Sequence, residues 1–373
     1  MKLLYINDAI AIYGGLERVL AEKINWFVEQ AGYEVCLLTT NQGDHPFSFP
    51  IHRDVICRDL NINFHQQYRY SGLKRIRLNL RLHRIFRQRL RKVLLELRPD
   101  IIVCTRLVLL WDVVKVKKSI PCIFESHASR YASIFEGDSW KSRLLIFLMQ
   151  CAVMKVEQVV ALTKGDAKEW HKLTSKVSVI PNPVHLNDTG CVSNCNLKSV
   201  IFVGRFSKQK DIGTLLQIWE MVYQRHSDWH LHIYGGYGGK QKELFAKINQ
   251  VSGVVVHGQT ANMINEYKKS SILLLTSIYE PFGLVLPEAM SCGLPVVSFD
   301  CPYGPADIIT DGKDGVLIKD RDISAFVDFV CLLIENEKLR VKLGQAGVMS
   351  SERFSASNIM PQWMQLFSQL FNQ

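Results

Sequence analysis

Long apolar runs are scarce in this sequence, which argues against helices that cross a membrane. The longest apolar block, residues 144–154, is flanked by Arg143 and Lys155 and is too short to span a bilayer. Residues 1–8 form a short apolar run that ends in polar residues, without the apolar core and cleavage site of a signal peptide. We therefore expect the N-terminus to form a first strand.

Cysteines that could pair are also scarce, although the chain has ten cysteines. Most of them lie inside apolar strands, as Cys36, Cys104 and Cys122 do, and this pattern is typical of reduced, buried thiols in a cytoplasm. Cys191 and Cys195 are the one close pair, in a polar stretch. A metal site there would need further ligands that the sequence does not offer, so a plain linker is favoured.

Acidic residues are missing from residues 69–92, where ten lysines and arginines match the whole formal net charge of +10. Apolar residues recur through this segment with helical spacing, so we predict an amphipathic helix with one apolar stripe and a cationic remainder. The stripe consists of Leu78, Leu82, Ile85, Phe86, Leu90, Val93, Leu94 and Leu97.

Three interpretations of the cationic face are open. It is a solvated face over a helix that packs on a sheet, a surface for anionic lipid or a phosphate-bearing acceptor, or a nucleic-acid site. No recognised nucleic-acid module accompanies the charge, which disfavours the third interpretation. We favour the second in addition to the first. The expected membrane or acceptor surface comprises Arg77, Arg81, Arg84, Arg87 and Arg91.

Short apolar strands alternate with amphipathic helices along all 373 residues, a length that favours two domains. Strands are predicted in the first half at residues 3–6, 35–39, 101–105, 122–125, 159–163 and 177–180. In the second half they are predicted at residues 200–204, 230–234, 254–257, 272–276, 295–299 and 315–318. Runs of Val, Ile and Leu between helical segments predict an α/β fold with doubly wound parallel sheets.

The domain boundary is predicted at Pro181-Asn182-Pro183 and the polar stretch that follows. Residues 1–184 then form one Rossmann-like domain and residues 185–355 a second. Residues 356–373 form a last helix that is apolar enough to need a partner, and we expect it to cross back to the first domain.

A loop that enters a helix is the most informative segment. Pro281 biases Glu280 toward an extended conformation, and Pro287 fits the first turn of a helix that contains Glu288. Backbone amides at such a helix start form an anion site. Carboxylates beside an anion site suggest a ligand with both phosphates and hydroxyls, such as a nucleotide-sugar. The amides are those of Phe282, Gly283 and Leu284.

Two strand–helix turns carry further candidates. Gly14 and Gly15 let the turn after strand one approach a phosphate, although a plain turn explains them equally well and the dinucleotide motif GxGxxG is absent. Arg205 and Lys210 follow a strand of the second half, where cations suit a leaving diphosphate, although by themselves they are more simply a surface pair. His127 ends a strand at its carboxyl edge, the edge that binds ligands in open α/β sheets, although a lone histidine in such a place is usually structural.

Residues 204–210, 280–288 and 304–309 together resemble the retaining glycosyltransferases of family 4, bacterial polysaccharide-assembly type. The likeness covers essentially the whole chain, and the pair of glutamates is its most specific element. The resemblance implies the GT-B fold, in which two Rossmann-like domains face each other across a cleft. It also implies a nucleotide-sugar substrate, with no cofactor and no bound metal.

Site roles follow from the same resemblance. Arg205 and Lys210 would hold the diphosphate, and Glu288 the ribose hydroxyls. Glu280 and the amides of residues 282–284 would meet the donor sugar, and Gly14 and Gly15 the phosphate from the other domain. His127 resembles the active-site histidine, which makes His127 and Glu280 the candidate catalytic residues. Asp211 stands where the family often has glycine, and Glu125 is expected to be a strand or supporting residue rather than a nucleophile.

The expected function is transfer of a hexose or N-acetylhexosamine, with retention, from a nucleotide-sugar, by default a UDP-sugar, to a lipid-linked saccharide. The acceptor would be polyprenyl-diphosphate-linked, in capsule, lipopolysaccharide or similar synthesis. The enzyme would be cytoplasmic and peripheral at the inner membrane face, without nucleic acid as a partner. Two alternatives stay open: a nucleotide-sugar epimerase of the same fold, and a non-enzymatic peripheral membrane or RNA-binding protein.

Overall fold

A computed structural model of the protein describes residues 1–130, 140–236, 247–260 and 262–372. The chain divides into two compact units. The first unit comprises Met1–Ile180 together with Met360–Gln373, and the second comprises Pro181–Ile359. The sequence analysis placed the corresponding boundaries after residues 184 and 355.

The first unit is built on a seven-stranded sheet in the order β3-β2-β1-β4-β5-β6-β7. All neighbouring strands run parallel, and β1, β4 and β5 are almost completely buried, as expected for central strands covered on both faces. The strands are β1 (Lys2–Asn7), β2 (Glu34–Thr39), β3 (Ile56–Asp59), β4 (Ile101–Cys104), β5 (Cys122–Ser126), β6 (Gln158–Ala161) and β7 (Val177–Val179).

Helices alternate with these strands. They are α1 (Gly15–Glu29), α2 (Gly72–Leu97), α3 (Leu107–Val116), α4 (Trp140–Gln150) and α5 (Lys164–His171). The helix predicted from the cationic segment is α2, and the eight residues of its predicted apolar stripe all belong to, or pack against, the core of this unit. Periodicity therefore identified the buried face of α2 correctly.

The second unit contains a six-stranded parallel sheet in the order β10-β9-β8-β11-β12-β13. Its strands are β8 (Ser199–Val203), β9 (His230–Tyr234), β10 (Val254–Gly258), β11 (Ile272–Leu275), β12 (Val296–Phe299) and β13 (Val316–Ile318). Its helices are α6 (Ile212–Arg225), α7 (Met263–Lys268), α8 (Val285–Ser291), α9 (Pro305–Ile308), α10 (Ile323–Glu335) and α11 (Glu337–Ser351). Two parallel α/β sheets confirm the predicted fold class.

The sequence analysis missed β3, which lies at one end of the first sheet. Its four residues include Arg58 and Asp59, and none of the four is buried. A short, polar edge strand lacks the apolar run that reveals a central strand, so the sequence pattern gives no signal for it. The other strands lie where they were predicted, with ends that differ by one or two residues.

The last helix, α12 (Ala356–Phe371), continues into the first unit from Met360 onward. Its apolar side chains Trp363, Leu366, Phe367 and Leu370 are buried. The Phe367 ring lies 5.3 Å from the Phe27 ring of α1, centroid to centroid. This contact between aromatic rings packs α12 against α1.

Among the helices of the described residues, none combines the length and the apolar character that a membrane span requires. The observation agrees with the short apolar block noted in the sequence.

Truncation of the α12 contact should destabilise the first unit. Phe367→Ala removes a fully buried ring, so we expect its free energy of unfolding to fall by roughly 3–5 kcal/mol. Phe371→Ala is the matched control, because that ring is 56% exposed in the same helix. Chemical denaturation of both variants measures the difference, and equal effects would contradict this packing.

Candidate active site

The cations and carboxylates of the second half lie on two loops of the second unit. Residues 204–211 follow β8, and residues 276–284 follow β11. β8 and β11 are parallel neighbours in the sheet, so both loops leave it at the carboxyl edge. This is the edge at which open α/β sheets bind ligands.

Several hydrogen bonds to backbone groups join the two loops. The amide of Ile278 donates to the carbonyl of Gln209 at 2.8 Å, and the Gln209 side chain donates to the carbonyl of Tyr279 at 3.0 Å. The Thr276 hydroxyl donates to the carbonyl of Lys210 at 3.2 Å. Each loop thus satisfies backbone hydrogen-bonding groups of the other. We call the two loops together, residues 204–211 and 276–284, the ledge.

Lys210 and Glu280 meet on this ledge. The Lys210 ammonium donates to Oε1 of Glu280, and the Ser277 hydroxyl donates to the same oxygen at 2.6 Å. The side chains of Lys210 and Glu280 are 14% and 5% exposed, so the pair is largely shielded and the lysine keeps some exposure. The sequence analysis gave these residues separate ligand groups and did not anticipate their direct contact.

The backbone of Glu280 is held by the segment that precedes α9. Its amide donates to the carbonyl of Pro302 at 2.6 Å, and its carbonyl accepts from the amides of Tyr303 and Gly304 at 3.1 and 2.8 Å. A Cβ at Gly304 would lie 1.8 Å from the carbonyl oxygen of Phe282. Only glycine fits this contact, so Gly304 lets the segment before α9 pack closely against the loop that carries Glu280.

The second glutamate lies in the opening turn of α8. Leu284 is the N-cap residue, and Gly283 before it has a φ of +99°, a conformation that favours glycine. Glu288 is buried, and its Oε2 accepts a hydrogen bond from the Tyr267 hydroxyl at 3.1 Å. The Phe282 ring is buried against Phe354, with centroids 5.5 Å apart. The amides of residues 282–284 therefore stand at a fixed helix start.

Arg205 is an exposed cation of the ledge. Its neighbour Phe206 is buried, which anchors the loop, while Arg205 itself points to solvent. A Cβ at Gly204 would lie 3.2 Å from the Lys210 side chain, and a Cβ at Gly235 would lie 1.9 Å from the carbonyl oxygen of Gly204. Close packing therefore fixes the strand end from which Arg205 projects.

Asp211, the departure from the family pattern, adopts the left-handed conformation, with φ 47° and ψ 58°. A left-handed residue explains why glycine is usual here. Asp211 offsets the strain by capping α6, with a hydrogen bond from the Thr214 amide at 3.3 Å. Its carboxylate also lies 2.8 Å from the Arg321 guanidinium, which donates to the carbonyl of Ser277 at 2.6 Å. Sequence reasoning missed this ion pair, because Asp211 and Arg321 lie 110 positions apart.

In the first unit, Gly14 and Gly15 follow β1 at the carboxyl edge of its sheet. Gly14 is the N-cap of α1, and its extended backbone suits any residue. A Cβ at Gly14 would meet only the carboxylate of Glu17, at 2.3 Å, and that flexible side chain can move away. The backbone does not demand glycine here, so a requirement for glycine would come from a ligand.

His127 follows β5 at the same edge. Its Nε2 lies 3.0 Å from Oε1 of Glu125, and the same oxygen lies 2.5 Å from the ammonium of Lys23 on α1. Burial raises the pKa of Glu125, but Lys23 and His127 outweigh it and lower the pKa to about 2. Glu125 is therefore ionised at neutral pH and contacts His127.

A second carboxylate holds the turn that carries His127. Asp166 on α5 accepts hydrogen bonds from the Arg130 amide at 2.7 Å, the Trp170 indole at 2.9 Å and the Ser126 hydroxyl at 3.2 Å. Burial raises the pKa of Asp166 to about 6 although these hydrogen bonds oppose the shift. No sequence signal distinguished Asp166 from other acidic residues at helix starts.

The predicted cationic surface of α2 is divided by its contacts. Arg77, Arg81, Arg84 and Arg91 are exposed. Arg87 is half-buried, and its guanidinium lies 2.6 Å from the completely buried carboxylate of Asp112 on α3. We therefore assign Arg87 to the packing of α2 on α3, and the exposed surface to the other four arginines.

The structure thus groups the predicted residues by sheet edge. Arg205, Lys210, Glu280, Phe282, Gly283, Leu284 and Glu288 lie at the carboxyl edge of the second sheet. Gly14, Gly15 and His127 lie at the carboxyl edge of the first. The described residues contain no group of three or more His, Cys, Asp or Glu side chains placed to hold a metal ion.

Two family models match the chain, one in each half. Residues 13–188 match the model described as Glycosyltransferase Family 4, and residues 192–348 match the model described as Glycosyl transferases group 1. Both models describe glycosyltransferases, and together they match residues 13–348 apart from residues 189–191.

Its relatives include enzymes of bacterial surface polysaccharides. The chain is 28% identical to an amylovoran biosynthesis glycosyltransferase of Erwinia amylovora, over 97% of this chain and 98% of that protein. It is 27% identical to the lipopolysaccharide 1,6-galactosyltransferase of Escherichia coli, over 90% of each chain. A Campylobacter jejuni N-acetyl-D-galactosaminyltransferase, named for an undecaprenol-linked saccharide, is 22% identical over 96% of each chain.

Solved structures share the fold. The apo form of the lipopolysaccharide outer core galactosyltransferase WaaB aligns with a TM-score of 0.73 and 20% identity, over 99% of this chain and 100% of that one. The Anabaena protein Alr3699/HepE, in complex with UDP-glucose, aligns with a TM-score of 0.75 and 18% identity over the same shares. The GT-B fold expected from the sequence is confirmed, and the protein is a glycosyltransferase of the bacterial surface-polysaccharide type.

The raised pKa of Asp166 predicts a pH effect on stability. A carboxyl group whose folded pKa is about 6, against 3.8 unfolded, is harder to ionise in the folded protein. Its stabilising contribution is present at low pH and is lost as the pH rises from about 4 to 6. Between pH 4.5 and 7, the unfolding free energy of the Asp166→Asn variant should gain about 2 kcal/mol relative to wild type.

Chemical denaturation across this pH range measures the difference. Asp188→Asn is the control, because Asp188 is an exposed carboxylate of the second unit, away from this turn. Parallel pH profiles for Asp166→Asn and wild type would contradict the assignment.

Proposed function

We propose that the protein transfers a hexose or N-acetylhexosamine from a UDP-sugar to a hydroxyl of a lipid-linked saccharide, with retention of the anomeric configuration. The observation that carries the proposal is the ledge of the second unit. There Lys210 and Glu280 share a contact, Arg205 projects from the same loop, and Glu288 lies in the following helix turn. Cations, amides and carboxylates together match a ligand with both a diphosphate and sugar hydroxyls.

The relatives support the choice of donor. The names of the E. coli and Campylobacter enzymes specify transfer of galactose and N-acetylgalactosamine, and the Anabaena structure holds UDP-glucose. All three point to a hexose-type sugar, and the last points to uridine diphosphate as its carrier.

Charge separation is the chemical problem that the site addresses. As the bond from the anomeric carbon to the diphosphate oxygen breaks, positive character grows on the sugar ring and negative charge on the diphosphate. Arg205 supplies a planar fork of donors and Lys210 a compact charge for the diphosphate, without need of a bound metal. Glu280, a buried carboxylate beside them, orients sugar hydroxyls and favours the positive ring.

Retention requires attack from the face that the diphosphate leaves. The acceptor hydroxyl forms the new bond to the anomeric carbon on that face, and its proton passes to the departing diphosphate oxygen. No protein nucleophile is needed for this course, in agreement with the supporting role of Glu125. His127 positions a substrate hydroxyl during the step.

The surface of α2 supports a lipid-linked acceptor. Besides the four exposed arginines, Leu73, Ile76 and Leu80 are 73%, 56% and 64% exposed. Their spacing of three and four residues places them on one face of the helix, where the sequence analysis expected only cations. Exposed apolar side chains among arginines are typical of helices that lie in the interface of an anionic membrane. We propose peripheral attachment at the inner membrane face through this surface.

Donor binding is tested with Arg205→Ala, Lys210→Ala and Glu288→Gln. Each variant should weaken UDP-sugar binding about tenfold or more and slow turnover, because each removes a charge that meets the donor. Lys208→Ala is the matched control, since Lys208 is exposed in the same turn as Lys210. A thermal-shift panel of nucleotide-sugars selects the donor, and calorimetry measures its affinity.

Two outcomes would contradict the proposal. Unchanged affinity and turnover in all three variants would show that the ledge is not the donor site. Conversion of the donor into an epimer without any acceptor would identify an epimerase instead.

Membrane attachment is tested with vesicles that contain anionic lipid. Replacement of four arginines by glutamine should reduce vesicle binding at least tenfold and leave donor affinity unchanged, because each cation near the surface contributes about 1 kcal/mol. The replaced residues are Arg77, Arg81, Arg84 and Arg91. Arg87 is left intact because it pairs with Asp112.

The control removes the same charge from exposed positions elsewhere in the first unit. Its four positions are Arg53, Lys118, Lys155 and Lys168. Equal loss of vesicle binding in both quadruple variants would indicate a net-charge effect and would contradict a defined surface on α2.

A further inference from the structure

A buried ion pair, Lys23 with Glu125, lies in contact with His127. The side chains of Lys23 and Glu125 are each only 1% exposed, and their charged atoms lie 2.5 Å apart. Removing two charges from water costs several kcal/mol for each, and such pairs often stabilise a fold no better than apolar residues of similar size. Stability is therefore a weak explanation for this pair. Its position at the end of β5, next to His127, suggests a role in the candidate site instead.

The carboxylate of Glu125 has two nitrogen neighbours. Oε1 lies 2.5 Å from Nζ of Lys23 and 3.0 Å from Nε2 of His127. The 3.0 Å contact does not have hydrogen-bond geometry in this structure, so Glu125 acts on His127 through its charge. An ionised carboxylate this close to Nε2 favours a proton on that nitrogen. In the neutral ring the other nitrogen, Nδ1, is then an acceptor.

Lys23 is itself held in place. Its ammonium lies 3.5 Å from the centre of the Trp363 ring of α12 and 5.8 Å from the Tyr5 ring of β1. Aromatic faces at this distance attract a cation. Rings of β1 and α12 therefore hold the ammonium of Lys23, which lies on α1, in place. The charge of this ammonium keeps Glu125 ionised.

We propose that Lys23 and Glu125 are positioning residues for His127, which hold its imidazole in one orientation with the proton on Nε2 and present Nδ1 to a substrate hydroxyl. The inference rests on the proposed function, in which His127 positions that hydroxyl. It adds a reason for the buried charges and predicts which nitrogen acts.

The first experiment separates positioning from plain structure. Glu125→Gln alone leaves Lys23 charged and unpaired, so it should lower stability and turnover together. The double variant Lys23→Met/Glu125→Gln removes both charges with little change of shape. We expect it to regain an unfolding midpoint near that of wild type, while kcat stays about tenfold lower with unchanged donor affinity.

The matched control uses the ion pair at the opposite end of β5. There the Lys117 ammonium lies 2.9 Å from Glu157, whose carboxylate accepts from the Cys122 amide at 2.8 Å. The variant Lys117→Met/Glu157→Gln should leave kcat within about twofold of wild type, because this pair contacts no predicted site residue. Wild-type kcat in the Lys23→Met/Glu125→Gln variant would overturn the positioning role.

The second experiment reads the tautomer of His127 by nitrogen-15 NMR of histidine-labelled protein, with the signal assigned by its loss in His127→Gln. Wild type should show hydrogen on Nε2, and Glu125→Gln should shift the signal toward a tautomer mixture. A neutral wild-type ring with hydrogen on Nδ1 would overturn the inference, and this reading needs no variant of the ion pair.

Failure of the two proposals can be told apart. If His127→Gln leaves turnover unchanged, the role of His127 in catalysis fails, and the positioning role fails with it. If His127→Gln slows turnover while Lys23→Met/Glu125→Gln does not, only the positioning role is overturned.

Discussion

The contact between Lys210 and Glu280 organises the candidate donor site. A carboxylate as buried as that of Glu280 needs a partner, and the loop after β8 supplies one beside the loop after β11. Backbone hydrogen bonds between the same loops, and the ion pair between Asp211 and Arg321, hold Lys210 and Glu280 next to each other. The acidic and cationic groups that a nucleotide-sugar requires are therefore brought together before any ligand binds.

Each unit carries a lysine–glutamate pair at the carboxyl edge of its parallel sheet, and burial distinguishes the two pairs. Lys210 and Glu280 keep some exposure, so a ligand can compete for them. Lys23 and Glu125 are enclosed, and the groups that they contact are each other, His127 and the rings around Lys23. One pair is suited to bind a ligand, and the other to position a residue that does.

Much of the fold could be predicted, because central strands of parallel sheets are continuous apolar runs and Leu82, Phe86 and Leu90 repeat with helical spacing. The site loops could be placed because each follows such a strand. The pairing of β8 with β11 is the usual strand order of the Rossmann-like sheet that the sequence analysis expected. The contacts of Lys210 with Glu280 and of Arg87 with Asp112 were missed, since they depend on packing between distant segments, and the polar strand β3 left no pattern.

The measurement that tests the donor site most directly is a crystal structure of the protein with uridine diphosphate. Our account predicts diphosphate oxygens within hydrogen-bonding distance of Arg205 and Lys210, and ribose hydroxyls at the Glu288 carboxylate. Uridine diphosphate bound at another place, with Lys210 and Glu288 untouched, would contradict the account.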